Sequence, residues 1–300
     1  MLTGIHFLLT YRCVYECDHC FLYCGPHMTG TFTLEQVRRT LEESRKVGTI
    51  EWIYYEGGEP FLYYPLMMEG LRLAEGMGFK TGVVTNAYWA NSEEDADLWL
   101  KPCGEVRVDS LSLSDDEFHS DKGEDSPAKI ALASARRLGL PASTIAISAP
   151  CVKPSREGGA DKGEPIVGGD VVFRGRAIEK LSDGIPMKPW NTFAECKREE
   201  LRDPGRVHVD CYGNVQLCQG LSMGNMWKAP LSELVESYDP DSHPICGPLL
   251  EGGPALLAER YGVEHEEAYI DECHFCFLMR RALLEKFPEY LGPRQVYGLE

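Results

Sequence analysis

The chain has 300 residues, of which 43% are hydrophobic and 26% charged, a composition typical of a folded globular protein with one large or two ordinary domains. Its 47 acidic and 30 basic side chains leave a formal net charge of −17, and a field of that sign repels the phosphate backbone of a nucleic acid. The sequence opens with no basic segment before an apolar core, and no apolar run approaches the roughly 18 residues of a membrane span, so we predict neither a secretory signal nor a transmembrane helix. The 12 cysteines then favour reduced, metal-binding thiols in a cytoplasmic protein over disulfides.

Strand-like and helix-like segments alternate in the first half of the chain, which is typical of βα units around a parallel sheet. The predicted strands cover residues 4–10, 51–55, 79–85, 106–114, 143–149 and 170–173. The predicted helices cover residues 34–47, 66–77, 92–100, 128–138 and 176–181. Thr33 is the expected N-cap of the first helix, and Gln36 is placed to complete a capping box. Six such units fall two short of a complete eight-unit barrel.

The composition changes twice after the fifth predicted strand. Residues 153–169 are rich in Gly, Pro and charge, which predicts a mobile loop. From about Pro186 the segments become short and carry six of the 12 cysteines, which predicts a separate module organised by metal. The expected fold is therefore α/β: a partial (β/α)6 TIM-like barrel of parallel strands in residues 1–185, followed by a small cysteine-rich α+β module in residues 186–300.

Three closely spaced cysteines, Cys13, Cys17 and Cys20, follow the first predicted strand directly. Three thiolates on a four-iron cluster leave one iron open, and an open iron can chelate the amino and carboxylate groups of a methionine. This C-x3-C-x2-C spacing after a first barrel strand resembles the radical S-adenosylmethionine (SAM) superfamily. The resemblance implies a [4Fe–4S] cluster on these cysteines, with SAM bound to it.

A second element of that family has its counterpart at the end of the second predicted strand. Residues 57–60, Gly-Gly-Glu-Pro, resemble the family's GGEP element, which in the family binds the SAM amino group. Glycines let backbone carbonyls approach a ligand closely, and Glu59 can accept a hydrogen bond from an ammonium group. We therefore expect Gly57, Gly58, Glu59 and Pro60 to contribute to SAM binding.

Cys24 leaves a different interpretation of the first cluster open. It extends the run to C-x3-C-x2-C-x3-C, which resembles a ferredoxin, and a fourth thiolate would close the cluster to SAM. A closed site would transfer electrons or hold zinc instead. A ferredoxin does not need a GGEP element after the following strand, which favours the open site.

Four polar residues on or near the predicted barrel strands are further candidates for the SAM pocket. His19 occupies the position where the family often has an aromatic residue beside the adenine. Asn86 belongs to a T-N-A-Y turn that resembles the family's TNG-type turn, although an Asn at a turn is equally a local cap. Ser112 and Ser114 share one face of the fourth predicted strand, in a segment that resembles the family's S-L-D-G region. They are candidates for contact with the ribose, and the alternative is that they fill a tight interior.

The cysteines beyond the barrel resemble a shortened SPASM module, called Twitch, which holds one auxiliary [4Fe–4S] cluster. Cys218 ends a G-x4-C element, and Cys273 and Cys276 form a C-x2-C pair, as in that family pattern. Cys196 is the expected fourth ligand, although sixteen residues separate it from the glycine of the G-x4-C element, one more than the pattern allows. Cys211 is the alternative fourth ligand, and zinc on the same thiolates is the alternative metal.

The resemblance implies an enzyme that cleaves SAM reductively to methionine and a 5′-deoxyadenosyl radical, which abstracts hydrogen from a substrate. An auxiliary cluster suggests oxidation or C–S or C–C bond formation on a peptide or small molecule, with an electron donor such as flavodoxin or ferredoxin. Because the chain starts at the first predicted strand, we expect no N-terminal peptide-recognition domain. Two other classes stay open, an iron–sulfur electron-transfer or redox-sensing protein without SAM turnover and a zinc-stabilised interaction protein.

Overall fold

The structure is a computed structural model that describes residues 1–120, 125–153 and 166–299. The strands among these residues are β1 (Gly4–Thr10), β2 (Trp52–Gly57), β3 (Lys80–Thr85), β4 (Ser110–Ser114), β5 (Ala142–Ile145), β6 (Cys151–Lys153), β7 (Ile166–Gly168), β8 (Lys188–Pro189), β9 (Arg206–Asp210), β10 (Asn214–Cys218), β11 (Leu221–Asn225) and β12 (Ala268–Tyr269). The α-helices are α1 (Leu34–Val47), α2 (Tyr64–Gly76), α3 (Glu93–Glu105), α4 (Pro127–Arg137), α5 (Ala177–Lys180), α6 (Leu231–Ser237), α7 (Cys246–Tyr261) and α8 (Glu272–Ala282). None of the helices in the described ranges is long and apolar enough to cross a membrane.

One eight-stranded sheet organises the chain, in the order β11-β10-β9-β1-β2-β3-β4-β5. The six neighbouring strands from β9 to β5 run parallel, and β10 and β11 extend the sheet antiparallel beyond β9. Helices follow the first four parallel strands, as in βα units. The predicted fold class, α/β with a partial TIM-like barrel of six parallel strands, is therefore confirmed.

The sixth parallel strand lies elsewhere than the sequence predicted. Residues 170–173 are described by the structure and form no strand, so that prediction was wrong. Val171 and Phe173 are nevertheless buried. The sixth parallel strand is β9, which pairs with β1 on its other side. Residues 154–165 of the predicted mobile loop lie outside the described residues, and β6 and β7 on either side of them form a short hairpin.

The capped first helix was predicted correctly. Helix α1 has the expected bounds, Leu34–Val47. The Thr33 hydroxyl accepts from the Gln36 N–H at 3.2 Å, and the Gln36 side chain accepts from the Thr33 N–H at 2.8 Å. This reciprocal pair satisfies two helix-terminal donors. Most of the other predicted elements up to residue 149 end within a few residues of their predicted limits, but β4 begins at Ser110 and β5 ends at Ile145, which makes both strands shorter than predicted.

The hydrophobic core lies between the sheet and its helices. Strand β1 alternates, with Ile5, Phe7 and Leu9 buried in that core and Leu8 in a second cluster beneath the cysteine loop. The same core continues through β9, so the sheet crosses the predicted boundary at residue 185. The division into two modules remains a prediction.

Candidate active site

A cavity of about 390 Å³ opens where the parallel strands end at their carboxyl termini, a volume within the range of small-molecule sites. Cys13, Cys17 and Cys20 line it. Of the other residues predicted for a SAM pocket, the cavity wall includes His19, Gly57, Gly58, Asn86 and Ser114. The fold therefore brings the N-terminal cysteines and most of the predicted pocket residues together.

Burial controls the chemistry of these thiols. Burial raises the pKa of Cys13 and of Cys17 to about 12, so both are protonated near neutral pH until a metal replaces the proton. The Asn86 side-chain amide donates to the Cys13 sulfur at 3.5 Å, and the Tyr15 N–H donates to the same sulfur at 3.4 Å. These donors favour a thiolate at Cys13 once a metal is bound.

Cys24 lies in the same cavity wall and is 2% exposed. A hydrogen bond from the Cys24 thiol lowers the pKa of Cys20, and the same bond raises the pKa of Cys24. The structure thus brings a fourth thiol beside the other three, so position alone leaves both the open and the closed cluster available.

Arg176 holds the cysteine loop in place, a role that the sequence analysis missed. Its guanidinium donates to the carbonyls of Cys17 and Cys24, each at 2.8 Å, and its backbone N–H donates to the Cys20 carbonyl at 3.0 Å. The rigid fork of an arginine suits two carbonyls at once. The position of Arg176 just after Gly175, in a chain short of positive charge, was the only signal available for it in the sequence.

The two glycines of the GGEP element are required by the packing of the chain against itself. Gly57 has a φ of +122°, which only glycine adopts readily. A Cβ on Gly58 would lie 2.1 Å from the carbonyl oxygen of Arg12, and the Gly58 N–H donates to the Thr10 carbonyl at 2.7 Å. The end of β2 therefore presses directly on the loop that begins the cysteine motif.

Glu59 and Pro60 are buried behind the cavity wall and do not line it. The Glu59 carboxylate accepts from the Thr85 hydroxyl at 2.7 Å, the Asn86 N–H at 2.8 Å and the Phe61 N–H at 3.0 Å. Burial raises the pKa of Glu59 to about 7. The structure therefore gives this carboxylate a positioning contact with the Asn86 turn. Ser112 does not line the cavity either, although it shares the face of β4 that carries Ser114.

His19 lies among aromatic rings in the cavity wall. Its ring centroid is 4.4 Å from that of Phe118 and 5.4 Å from that of His119. Burial lowers the pKa of His19 to about 4, so the imidazole is neutral near pH 7. Its Nδ1 atom is buried and meets no hydrogen-bond partner within the described part of the chain. Such an atom suits a pocket that is filled by a polar ligand.

A second pocket is lined by the four cysteines predicted for the auxiliary site, Cys196, Cys218, Cys273 and Cys276. Cys196 lies in the segment before β9, Cys218 ends β10, and the C-x2-C pair lies in the first turn of α8. Burial raises the pKa of Cys276 to about 12. Cys211 does not line this pocket, and its sulfur lies beside Gly30, 3.0 Å from where a Cβ on that glycine would be.

Two arginines complete the second pocket, the partly buried Arg174 and the buried Arg280. The Nε atom of each is buried and has no hydrogen-bond partner in the residues that the structure describes. Cationic side chains that keep an N–H without a partner, beside four thiols, fit an iron–sulfur cluster, because its sulfides and thiolates are acceptors that carry negative charge. The residues present therefore fit an auxiliary cluster.

Comparison with known proteins relates the chain to one family. Residues 7–149 match the family model of the radical SAM superfamily. YydG of Bacillus subtilis (strain 168), which is named for peptide biosynthesis, is 28% identical over 255 residues, covering 85% of this chain and 72% of YydG. The S-adenosylmethionine-dependent nucleotide dehydratase of Selenomonas ruminantium is 30% identical over 78 residues, covering 26% of this chain and 27% of that protein. The solved structure of anSMEcpe with bound AdoMet and the Cp18Cys peptide is 14% identical, with a TM-score of 0.47 that spans 96% of this chain and 97% of that one.

Proposed function

Because residues 7–149 match the radical SAM superfamily of enzymes, we propose that this chain is a radical SAM enzyme that modifies a peptide. We also propose that its C-terminal part holds an auxiliary [4Fe–4S] cluster. The family implies a SAM-binding [4Fe–4S] cluster. When bound, that cluster and SAM supply a 5′-deoxyadenosyl radical, formed with methionine by reductive cleavage, which removes a hydrogen atom from the substrate.

One observation carries the proposal: a single cavity is lined by Cys13, Cys17, Cys20 and Asn86. Three thiols can hold a cluster that keeps one iron free for a small ligand. The Asn86 amide stabilises the first thiolate, at 3.5 Å from its sulfur. Arg176 fixes the loop through three hydrogen bonds to its carbonyls.

Support for a peptide substrate comes from YydG, which is similar over 85% of this chain. The net charge of −17 suits a neutral or basic peptide better than an acidic one. Support for the auxiliary cluster comes from the second pocket, in which four cysteines meet Arg174 and Arg280. We assign residues 1–185 to the barrel and residues 186–300 to the module that holds this cluster.

Anaerobic reconstitution with iron and sulfide, followed by dithionite and SAM, tests the proposal. We expect 5′-deoxyadenosine and methionine in equal amounts, and faster formation when synthetic peptides encoded beside the gene are added. Mass spectrometry should then detect a change of mass in one peptide. Failure to cleave SAM would refute SAM-dependent turnover, whereas cleavage with small-molecule products alone would refute the peptide substrate.

An electron-transfer protein is the second candidate function, because Cys24 lies against Cys20 in the same wall. If Cys24 were a fourth ligand, the closed cluster would have no iron available for SAM. Isothermal titration of the reconstituted protein with SAM separates the two functions, since only an open cluster gives one tight SAM site per chain.

A further inference from the structure

Three side chains of metal-ligating type meet inside the barrel, away from the cysteines. They are His6 on β1, Glu56 on β2 and His208 on β9, and their ligand atoms lie within 4.8 Å of one another. Glu56 Oε2 is 3.3 Å from His6 Nδ1, and Glu56 Oε1 is 3.1 Å from His208 Nε2. Glu56 also lines the cavity described above.

The parallel ladder fixes the two histidines opposite each other. His6 and His208 are direct partners in the register of β1 and β9. Their chain neighbours Ile5, Phe7, Val207 and Val209 are buried in the core on the other face of the sheet, so both histidines point into the barrel. The side chains of His6, Glu56 and His208 are 17%, 18% and 10% exposed. The backbone therefore brings the three groups together without any rearrangement.

A second trio provides a contrast. In the group of His19, Asp116 and His119, the Asp116 carboxylate already accepts from His119 Nδ1 at 2.7 Å and from the backbone N–H groups of Phe118 and Ile147 at 3.1 Å. Both oxygens of the Asp116 carboxylate therefore already accept hydrogen bonds from groups of the protein itself.

The Glu56 carboxylate of the first trio, by contrast, faces the two histidine rings. Nδ1 of His6, the ring atom that faces Glu56, is buried and has no hydrogen-bond partner among the residues described, and the ring atom of His208 that faces Glu56 is Nε2. A buried imidazole nitrogen without a partner calls for a ligand, because buried polar atoms are nearly always paired. His6 Nδ1 lies close to Glu56 without the alignment of a hydrogen bond, as expected for ligand atoms that converge on one ion.

We propose that His6, Glu56 and His208 bind one divalent transition-metal ion inside the barrel. Two imidazoles and one carboxylate suit zinc or ferrous iron. Three protein ligands leave at least one coordination position open, beside the cavity that Glu56 lines. That position accepts water or a carbonyl oxygen of the substrate.

Zinc binding to the holoenzyme tests this site without reference to turnover. With both clusters reconstituted and adventitious iron removed, anaerobic titration with zinc should add one zinc per chain. X-ray absorption at the zinc edge should then give nitrogen and oxygen neighbours at about 2.0–2.2 Å and no sulfur at about 2.3 Å. Zinc affinity should fall at least tenfold in His6→Ala, Glu56→Gln and His208→Ala. The matched control His119→Ala, which changes the histidine of the occupied trio, should keep the affinity of the unchanged chain.

Several results would overturn the proposal. Absence of a bound zinc, a sulfur shell around it, or undiminished affinity in Glu56→Gln would each do so. Glu56→Gln keeps the size and shape of the side chain, so it decides the question even if the alanine variants fold poorly. Iron content and circular dichroism of each variant establish that the barrel is intact.

Discussion

The guanidinium of Arg174 lies 3.2 Å from the sulfur of Cys218, and the same side chain lines both the cavity at the N-terminal cysteines and the second cysteine pocket. Arg174 also pairs with Glu199 at 2.8 Å. Burial by itself would lower the pKa of Arg174, but Cys218 and Glu199 outweigh burial and raise it. One permanent cation therefore connects the two cysteine sites.

We predict that Arg174→Gln lowers the reduction potential of the proposed auxiliary cluster. A nearby cation and an N–H···S hydrogen bond stabilise the more negative, reduced form, so their loss favours the oxidised form. Arg174→Lys keeps the charge and should shift the potential less. Redox titration followed by electron paramagnetic resonance measures the change. Arg202→Gln is the control variant, because Arg202 is exposed and pairs with Asp241 at 2.7 Å. Equal shifts of the reduction potential in Arg174→Gln and Arg202→Gln would contradict the prediction.

The second prediction concerns the iron content of the SAM site. The reconstituted chain should hold about eight irons, four per cubane cluster, and combined replacement of Cys13, Cys17 and Cys20 by Ala should leave about four. SAM cleavage should be abolished in that variant. Cys103→Ala, which removes a buried thiol from the main core, is the control for losing a cysteine as such and should keep all the iron. Cleavage that survives the triple replacement would refute the assignment.

Replacement of Cys24 should have the opposite effect to replacement of Cys13, Cys17 and Cys20. Cys24→Ala should keep both the iron and SAM cleavage, since the open cluster needs three thiolates only. The variant removes the hydrogen bond to Cys20, so a modest change in cluster stability is compatible with the proposal. Loss of about four irons would instead favour the closed, ferredoxin-like cluster.

The third prediction separates the two parts of the GGEP element. Gly58→Val should reduce iron at the SAM site, because a Cβ there would meet the Arg12 carbonyl at 2.1 Å and displace the loop that continues into Cys13. Glu59→Gln should keep the iron but weaken SAM binding about tenfold, about 1.4 kcal/mol, since it disturbs the hydrogen bonds that this carboxyl accepts from the Thr85 hydroxyl and the Asn86 N–H. Iron analysis and SAM titration measure the two effects.

Glu43→Gln is the control for this pair, because Glu43 is a buried carboxylate on α1 that is not part of the cavity wall. It should leave both iron content and SAM affinity unchanged. If Glu59→Gln behaved like Glu43→Gln, the carboxylate would have no part in SAM binding, and the hydrogen bond from the Asn86 N–H to Glu59 would serve only the fold.

Local patterns were enough to predict much of this molecule. The capping residues of α1 and the strand at residues 4–10 follow from short-range features, and both were predicted correctly. The sixth parallel strand was not, because the pairing of β9 with β1 joins residues about 200 positions apart, and nothing local marks such a contact. The same separation in the sequence explains why the contact between His6 and His208 was not predicted. The role of Arg176 was not predicted for the same reason, because its hydrogen-bond partners, the carbonyls of Cys17 and Cys24, are far from it in the sequence.

The last prediction decides the fourth ligand of the auxiliary cluster. In a chain that already lacks Cys13, Cys17 and Cys20, only the auxiliary site should hold iron, about four atoms. In that background Cys196→Ala should lose iron and change the cluster spectrum, because Cys196 lines the pocket with Cys218.

Cys211→Ala is the matched variant for that experiment and should keep the iron. Its sulfur lies beside Gly30, outside the pocket of the other four thiols, and reaching a shared metal would require β9 and its turn to move. Mössbauer spectra of both variants measure the outcome. If Cys211→Ala lost the iron and Cys196→Ala kept it, the ligands would be Cys211, Cys218, Cys273 and Cys276. Zinc in place of iron in this background would contradict an iron–sulfur cluster at the site altogether, since four thiolates bind either metal.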